Sequence, residues 1–466
     1  MQAWCRIAVA LALLAPAGSA ASAEECRASA AHVAAWNSIE RNPAPLQVGI
    51  ACAFQKPCRL VDPQGRLVGD VGDWMEGEPY SEGLLPMRFG TEIGYVDAAG
   101  QWAVRPRFVE AGPFCDGLAP AHDEDVRWGY IDRTGAFAIP RRFGDAGPFT
   151  EGLAPVREPG ARPSDRKTGY IDRTGNYVIP PRFEAGALFS EGLAAVRERG
   201  AWGYIDRTGR FVVPPSFEEA AAFRDGHALV TRRGRLGLID RTGRIVVEPL
   251  YNDATRDGGL VDFVLRKGDL DGPHTDTHRI ARADGSRLTP ETYSRVGALD
   301  RALIAVCKGR TCGYIDRDGR VAIPFGFAQA GDFAEGLAPV KIGRKIGYID
   351  RSGKVAIEAR FDEGRHAADD WAAGEYSFSE GVAAAGCGKR RGFIDTEGRW
   401  TAPPTFDGLH RVAGGLSQAW LGRSTGYVTR DGRPVDFDPK PAGKAADRID
   451  LCGAPLAPGV SASATP

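Results

Sequence analysis

The residues best suited to chemistry in this chain fall in one short stretch, where Asp269, Asp271, His274, Asp276 and His278 mix carboxylates with imidazoles. Such a set can ligate a transition metal, or calcium through its oxygens. The stretch lacks the full ligand series of an EF-hand loop, so the expectation is a solvated loop; metal binding is the alternative, and no metal ligand is assigned. A hydrolase would need a nucleophile with a base, or two placed carboxylates, in one cleft. The 7 histidines share no common position and none lies in an HExxH motif. No glycine-rich phosphate loop leads from a strand into a helix, so the 60 glycines read as turn residues. Arg232-Arg233 and Lys389-Arg390-Arg391 are short basic clusters at hairpin turns, expected to serve surface solubility.

Whatever chemistry exists must be positioned by a repeat. The aspartate of a Gly-Tyr-Ile-Asp-like segment recurs at Asp97, Asp132, Asp172, Asp206, Asp240, Asp316, Asp350 and Asp395, with Asp62 before them and Thr429 in its place after them. Uninterrupted copies are 34 or 35 residues apart, and about eleven units fit the chain. The stretch from Glu191 to Phe223 is a full copy. Leu193 to Val196, Trp202 to Asp206 and Phe211 to Val213 carry apolar, aromatic and β-branched residues, which predicts three short strands in a meander. Asp206-Arg207-Thr208-Gly209 fits a type I turn, with the aspartate as local acceptor and the glycine at positive φ. Phenylalanine pairs, such as Phe217 with Phe223 and Phe108 with Phe114, are expected to fill the core between units. A carboxylate repeated in nearly every unit, as Asp206 and Glu191 are, is expected to cap turns rather than to catalyse.

The array is interrupted between Asn252 and Asp300, the degenerate unit that holds the acidic and histidine-bearing loop, and by insertions at 158–167 and 362–377. Insertions into repeat arrays map to loops, so individuality is expected there. With 59 Lys and Arg against 60 Asp and Glu, the formal charge of -1 gives no basic excess for nucleic acid or an anionic membrane. Arg6, the apolar run Ile7 to Ala15 and Ala21-Ser22-Ala23 fit a secretory signal over 1–23, which predicts a periplasmic or secreted protein without membrane insertion after cleavage. Residues 24–48 read as a helical cap on the first repeat, 49–251 and 301–435 as two repeat blocks around the degenerate 252–300, and 436–466 as a Pro- and Ala-rich tail whose last residues are expected to be disordered.

Trp202-Gly203-Tyr204-Ile205-Asp206, followed by Thr208-Gly209, Pro214 and Phe217 and preceded by Phe189-Ser190-Glu191-Gly192-Leu193-Ala194, resembles the bacterial WG-repeat family. The resemblance runs from about Gly49 to Val435 and implies no catalytic residue or cofactor. Trp precedes the glycine only at Trp128 and Trp202; Ile93, Thr168, Leu236, Ile346, Arg391 and Thr425 stand there in other copies. Aligned on the same motif, Cys58 and Cys312 also occupy that place. Their expected disulfide partners are Cys52 and Cys307, across short turns. The pairing of Cys26, Cys115, Cys387 and Cys452 stays open.

The fold expected is all-β, with meanders of about 34 residues stacked as a solenoid-like array; one or two β-propellers are the alternative. The function expected is a non-enzymatic binding or scaffold surface for a protein or cell-envelope polymer. An envelope hydrolase or metal enzyme, with its site in 252–300, is the competing reading.

Overall fold

The computed structural model describes residues 49–51, 58–61, 67–72, 81–97, 101–160, 167–268, 274–363, 374–412, 415–422, 424–435 and 451–460. For the first three stretches, and for His274 and Thr425, the backbone alone is described. The expected signal at 1–23, the cap at 24–48, most of the 362–377 insertion, Cys26, Cys52, Asp269 and Asp271 lie outside these residues.

Eleven antiparallel sheets follow one another along the described residues, at 49–72, 84–108, 110–143, 145–183, 185–217, 219–251, 253–282, 295–327, 329–361, 382–406 and 408–435. Extended strand contacts among the described residues join members of one sheet or of consecutive sheets. The chain is therefore an all-β array of tandem meanders.

The fifth sheet shows why these residues fold this way. Leu193–Glu198 and Ala201–Asp206 pair without a slip, from Leu193 opposite Asp206 to Glu198 opposite Ala201. Arg199 and Gly200 join them at φ 54° and 80°, the left-handed geometry that a two-residue hairpin loop requires. At the other end, Asp206 Oδ1 accepts from the backbone N–H groups of Thr208 at 2.8 Å and Arg210 at 3.0 Å, and from the Thr208 hydroxyl at 2.6 Å. Gly209, at φ 84°, donates to the Asp206 carbonyl at 2.9 Å and closes the expected turn. The aspartates at 132, 172, 240, 316, 350 and 395 accept from the backbone N–H two residues on in the same way, and all of these but Asp316 and Asp395 also accept from a hydroxyl there.

The outer strand Phe211–Phe217 carries a bulge, because Tyr204 faces Val213 while Trp202 faces Phe217. The bulge presses on Gly203, where a Cβ would stand 2.5 Å from the Val213 carbonyl oxygen and 2.7 Å from the Pro215 nitrogen. Close approach of backbone therefore demands this glycine. Pro214 and Pro215 also withhold N–H groups from the outer edge, which blunts it against pairing with another chain.

The sequence expectation of three strands per unit holds in four of the eleven sheets, and the other seven carry a fourth. After Phe217 the chain bends into Glu219–Ala220, which pairs with His227–Arg232 as the first strand of the next sheet. Two residues are too few for periodicity to reveal. At such a junction the backbone passes one unit's end into its neighbour, and side chains reinforce it. Leu193, Ala195, Tyr204, Val213 and Phe217 pack on Phe223, Ala228, Val230 and Ile239 of the sixth sheet. The Tyr204 ring lies 4.7 Å from Phe223, and its hydroxyl donates to the Ala221 carbonyl at 2.7 Å. Burying each large aromatic contributes about 1.5–3 kcal/mol, which one isolated sheet could not obtain.

Part of the tail is ordered onto the array. Residues 451–460 lie beside Trp400, which donates its backbone N–H to Pro455 at 2.8 Å and accepts from Ala457 at 2.9 Å. The Trp400 indole donates to the Leu451 carbonyl at 2.9 Å, and Cys387 is bonded to Cys452 with Cα atoms 5.7 Å apart. Gly459 and Val460, expected from composition to be disordered, are therefore placed with this ordered stretch.

Candidate binding surface

The degenerate stretch 252–300 folds as a unit of the same plan with its hairpin lengthened. Leu260–Gly268 and His274–Arg282 pair over nine residues, from Leu260 opposite Arg282 to Gly268 opposite His274. In place of a regular outer strand, Tyr293 exchanges backbone hydrogen bonds with His278, and Leu288 donates to the Ile280 carbonyl. His278 thus faces Tyr293 as Trp202 faces Phe217.

Of the acidic and histidine-bearing stretch, the side chains of Asp276 and His278 are described, and both are engaged within the hairpin. Asp276 accepts two hydrogen bonds from the Arg266 guanidinium, at 2.8 and 2.9 Å. His278 Nδ1 lies 2.7 Å from Asp262 Oδ2, and Asp262 is buried. Burial opposes charge on His278, but the hydrogen bond and charge of Asp262, with Asp276 and Asp253 beyond, prevail and raise its pKa above the ordinary value. Among the described residues, no three His, Cys, Asp or Glu side chains are grouped to hold a metal ion.

Cys307 and Cys312 are bonded across their hairpin, with Cα atoms 4.0 Å apart in directly facing positions. Cys115 is disulfide-bonded as well. Cys58 belongs to the strand Cys58–Val61, of which the backbone is described.

The recurrent glutamates do cap turns, but not their own. Glu191 Oε2 accepts from the N–H of Gly226, one unit along, at 3.0 Å. Glu82 reaches Gly117, Asp116 Gly152, Glu151 Gly192, Glu335 Gly381 and Glu380 Gly415 in the same way. Where the acid should stand, Gly258 and Arg301 occupy the place, so the row is interrupted at the seventh and eighth sheets. The tyrosines of the motif form a second row: Tyr95, Tyr130, Tyr170, Tyr204 and Tyr314 each donate to a carbonyl 17 residues on. Burial raises the pKa of Tyr170, Tyr204 and Tyr314, so they stay neutral donors. The constant offset from each tyrosine to a small residue was the available sequence signal for this row.

A cleft of about 220 Å³ opens where the glutamate row is broken, lined by Asp300, Arg301, Phe333, Glu335 and Arg351. That is smaller than the roughly 300 Å³ at which small-molecule sites begin. Of the basic clusters, Arg391 is a correction: it is buried, and its guanidinium lies 5.4 Å from the centre of the Tyr376 ring.

A family profile described as "WG containing repeat" matches residues 93–121, 128–158, 169–200, 202–235, 237–257, 313–345, 346–389 and 392–419. No curated protein matches the chain. Similar solved structures include the eukaryotic initiation factor, at 11% identity over 66% of this chain and 94% of that one, with a TM-score of 0.38. Dihydro-heme d1 dehydrogenase NirN in complex with DHE is similar at 9% identity over 60% and 72%, with a TM-score of 0.32. BamB from Moraxella catarrhalis is similar at 14% identity over 66% and 92%, with a TM-score of 0.25.

Proposed function

The chain belongs to the WG containing repeat family, and from that premise we infer that it is an exported, non-enzymatic protein whose repeated surface binds or scaffolds another protein or a cell-envelope polymer. One observation carries this reading: the recurring chemistry-bearing side chains serve the array itself. The Asp206 type fastens turns, the Glu191 type holds the next unit's glycine, and the Tyr204 type holds the next unit's carbonyl. What such an array offers is length, and extended repeat surfaces gain affinity by adding shallow contacts unit by unit.

Export is supported by the bonds Cys307–Cys312 and Cys387–Cys452, since disulfides persist in oxidising compartments. No helix of the described residues is long and apolar enough to cross a membrane. Cell fractionation combined with passage of an envelope extract over the immobilised protein tests the reading. A component retained from the extract and displaced by the soluble protein is the expected result; a cytoplasmic location with nothing retained would set it aside. A second reading, an envelope hydrolase with its site in 252–300, is favoured by the buried Asp262 that orients His278.

A further inference from the structure

We propose that the outer strands of the second, third and fourth sheets form a strip that binds an anionic polysaccharide of the polyuronate class. The inference rests on the binding reading above and names the partner's chemistry. Trp102–Phe108, Phe137–Phe143 and Tyr177–Phe183 together hold five arginines and no carboxylate. The five later outer strands, at 211–217, 245–251, 321–327, 355–361 and 400–406, hold Arg360 against Glu248 and Glu358. The positive charge is thus local to the first block, although the whole chain is nearly neutral.

Three of these arginines share one posture. Arg107, Arg142 and Arg182 each donate to the carbonyl of a turn glycine in the following sheet, Gly135, Gly175 and Gly209. Each guanidinium lies over the phenylalanine that follows it, 5.0, 4.9 and 4.6 Å from the centres of Phe108, Phe143 and Phe183. Each of those rings in turn meets an aromatic side chain of the next sheet, with Phe137, Tyr177 and Phe211 at 6.0, 6.2 and 6.0 Å between ring centres. Phe137 and Phe211 are half-buried and Tyr177 is exposed. Every junction therefore presents a held cation beside a partly open aromatic ring.

The held arginines make no ion pair: no carboxylate among the described residues lies within ion-pair distance of Arg105, Arg107, Arg142 or Arg182. The acids that follow these strands bond elsewhere, Glu110 lying 3.4 Å from His122, Asp145 accepting from Ala146 at 2.9 Å and Glu184 from Gly200 at 3.0 Å, while Glu158 and Arg142 act with opposite sign on Tyr177. Asp123 pairs with Arg141, the fifth arginine of the strip. A guanidinium has five N–H donors, and one accepting carbonyl leaves the fork free for a carboxylate.

The pairing of cation and ring selects the polymer. One arginine post stands at each of three successive sheet junctions, next to an aromatic contact with the following sheet. A polysaccharide with a carboxylate on each sugar offers anions to these junctions, and the apolar face of a sugar ring can rest on Tyr177 or Phe211, whereas the Arg141 guanidinium lies over Phe137, 5.2 Å from its ring centre. Each exposed contact is weak, so binding should need all three junctions and should fade with salt.

The test is affinity electrophoresis and calorimetry of the full chain with alginate as the polyuronate and dextran as its neutral control. Alginate should retard the protein and dextran should not. The triple variant Arg107→Gln, Arg142→Gln, Arg182→Gln should bind alginate at least tenfold more weakly while its circular dichroism stays unchanged. Arg232→Gln with Arg233→Gln, elsewhere on the array, should leave binding intact. If the triple variant fails to fold, Arg105→Glu at an exposed position on the strip should weaken binding instead. No retardation of the wild type, an unaltered triple variant (or an unaltered Arg105→Glu in its place), or tighter binding of single-stranded DNA than of alginate would overturn the inference. If an envelope component is still retained by a protein that ignores alginate, this inference falls and the binding reading stands.

Discussion

At the scale of single residues, Gly203 and Trp202 have opposite standing although they are neighbours in the motif. Gly203 faces a bulged backbone with no room for a Cβ, whereas the place of Trp202 is taken elsewhere by Ile93, Thr168, Cys312 and Arg391. Gly203→Ala should destabilise by about 1–3 kcal/mol, because backbone cannot yield as a side chain can, whereas Trp202→Leu should cost less. Urea denaturation of the two variants checks the order; a costlier Trp202→Leu would contradict this account. Two titrations run in opposite directions. The raised pKa of His278 means that its pairing with Asp262 stabilises fully below about pH 6.5 and fades as pH rises through the folded value. The pH dependence of melting between pH 5 and 8 should therefore lose its downward slope in His278→Gln. The turn aspartates are the reverse case. The Thr208 hydroxyl first, then backbone N–H groups, lower the pKa of Asp206, and Asp240 is brought down to about 2. Their contribution is complete above the ordinary carboxylate range and is lost as pH falls through these lowered values, which acid unfolding of Asp206→Asn with Asp240→Asn should show as a flatter profile.

At the scale of elements, what was legible in the sequence was what closes within a few residues. The Asp206–Gly209 turn, the hairpin at Arg199-Gly200 and the Cys307–Cys312 bond each connect residues at most five apart, so local pattern sufficed. Glu191 and Gly226 are 35 residues apart and meet only because consecutive sheets stack. Asp262 was missed as the partner of His278 for the same kind of reason, since the lengthened hairpin brings them together across 16 residues. Cys387 and Cys452, 65 residues apart, gave no spacing signal at all. That bond has a consequence for one element. Trp400 heads an outer strand and is fully buried, whereas Val321 and Val355 at the same place in other sheets are exposed; the tail makes the difference. Chain-entropy arguments put a closure of this length near 4 kcal/mol and the Cys307–Cys312 closure near 2 kcal/mol. Cys452→Ser should shift tryptophan fluorescence to the red, and the shift should vanish when Trp400→Phe is added. No shift would mean that the tail holds its place without the bond.

At the scale of the whole molecule, stability and function have different addresses. A typical junction is made by one short strand passed forward, one tyrosine, one acid and a phenylalanine pair, so each sheet is held by its neighbours in the chain. The surface left over is repetitive, and the Asp262–His278 pair beneath it is the feature most like a reactive group. The most direct measurement of the central claim passes an envelope extract over wild type and over a variant with Asp262→Asn and His278→Ala, and assays breakdown of envelope polymers by both. A binding surface predicts that both proteins retain the same component and that neither degrades polymer. Turnover by the wild type that disappears in the variant would contradict it.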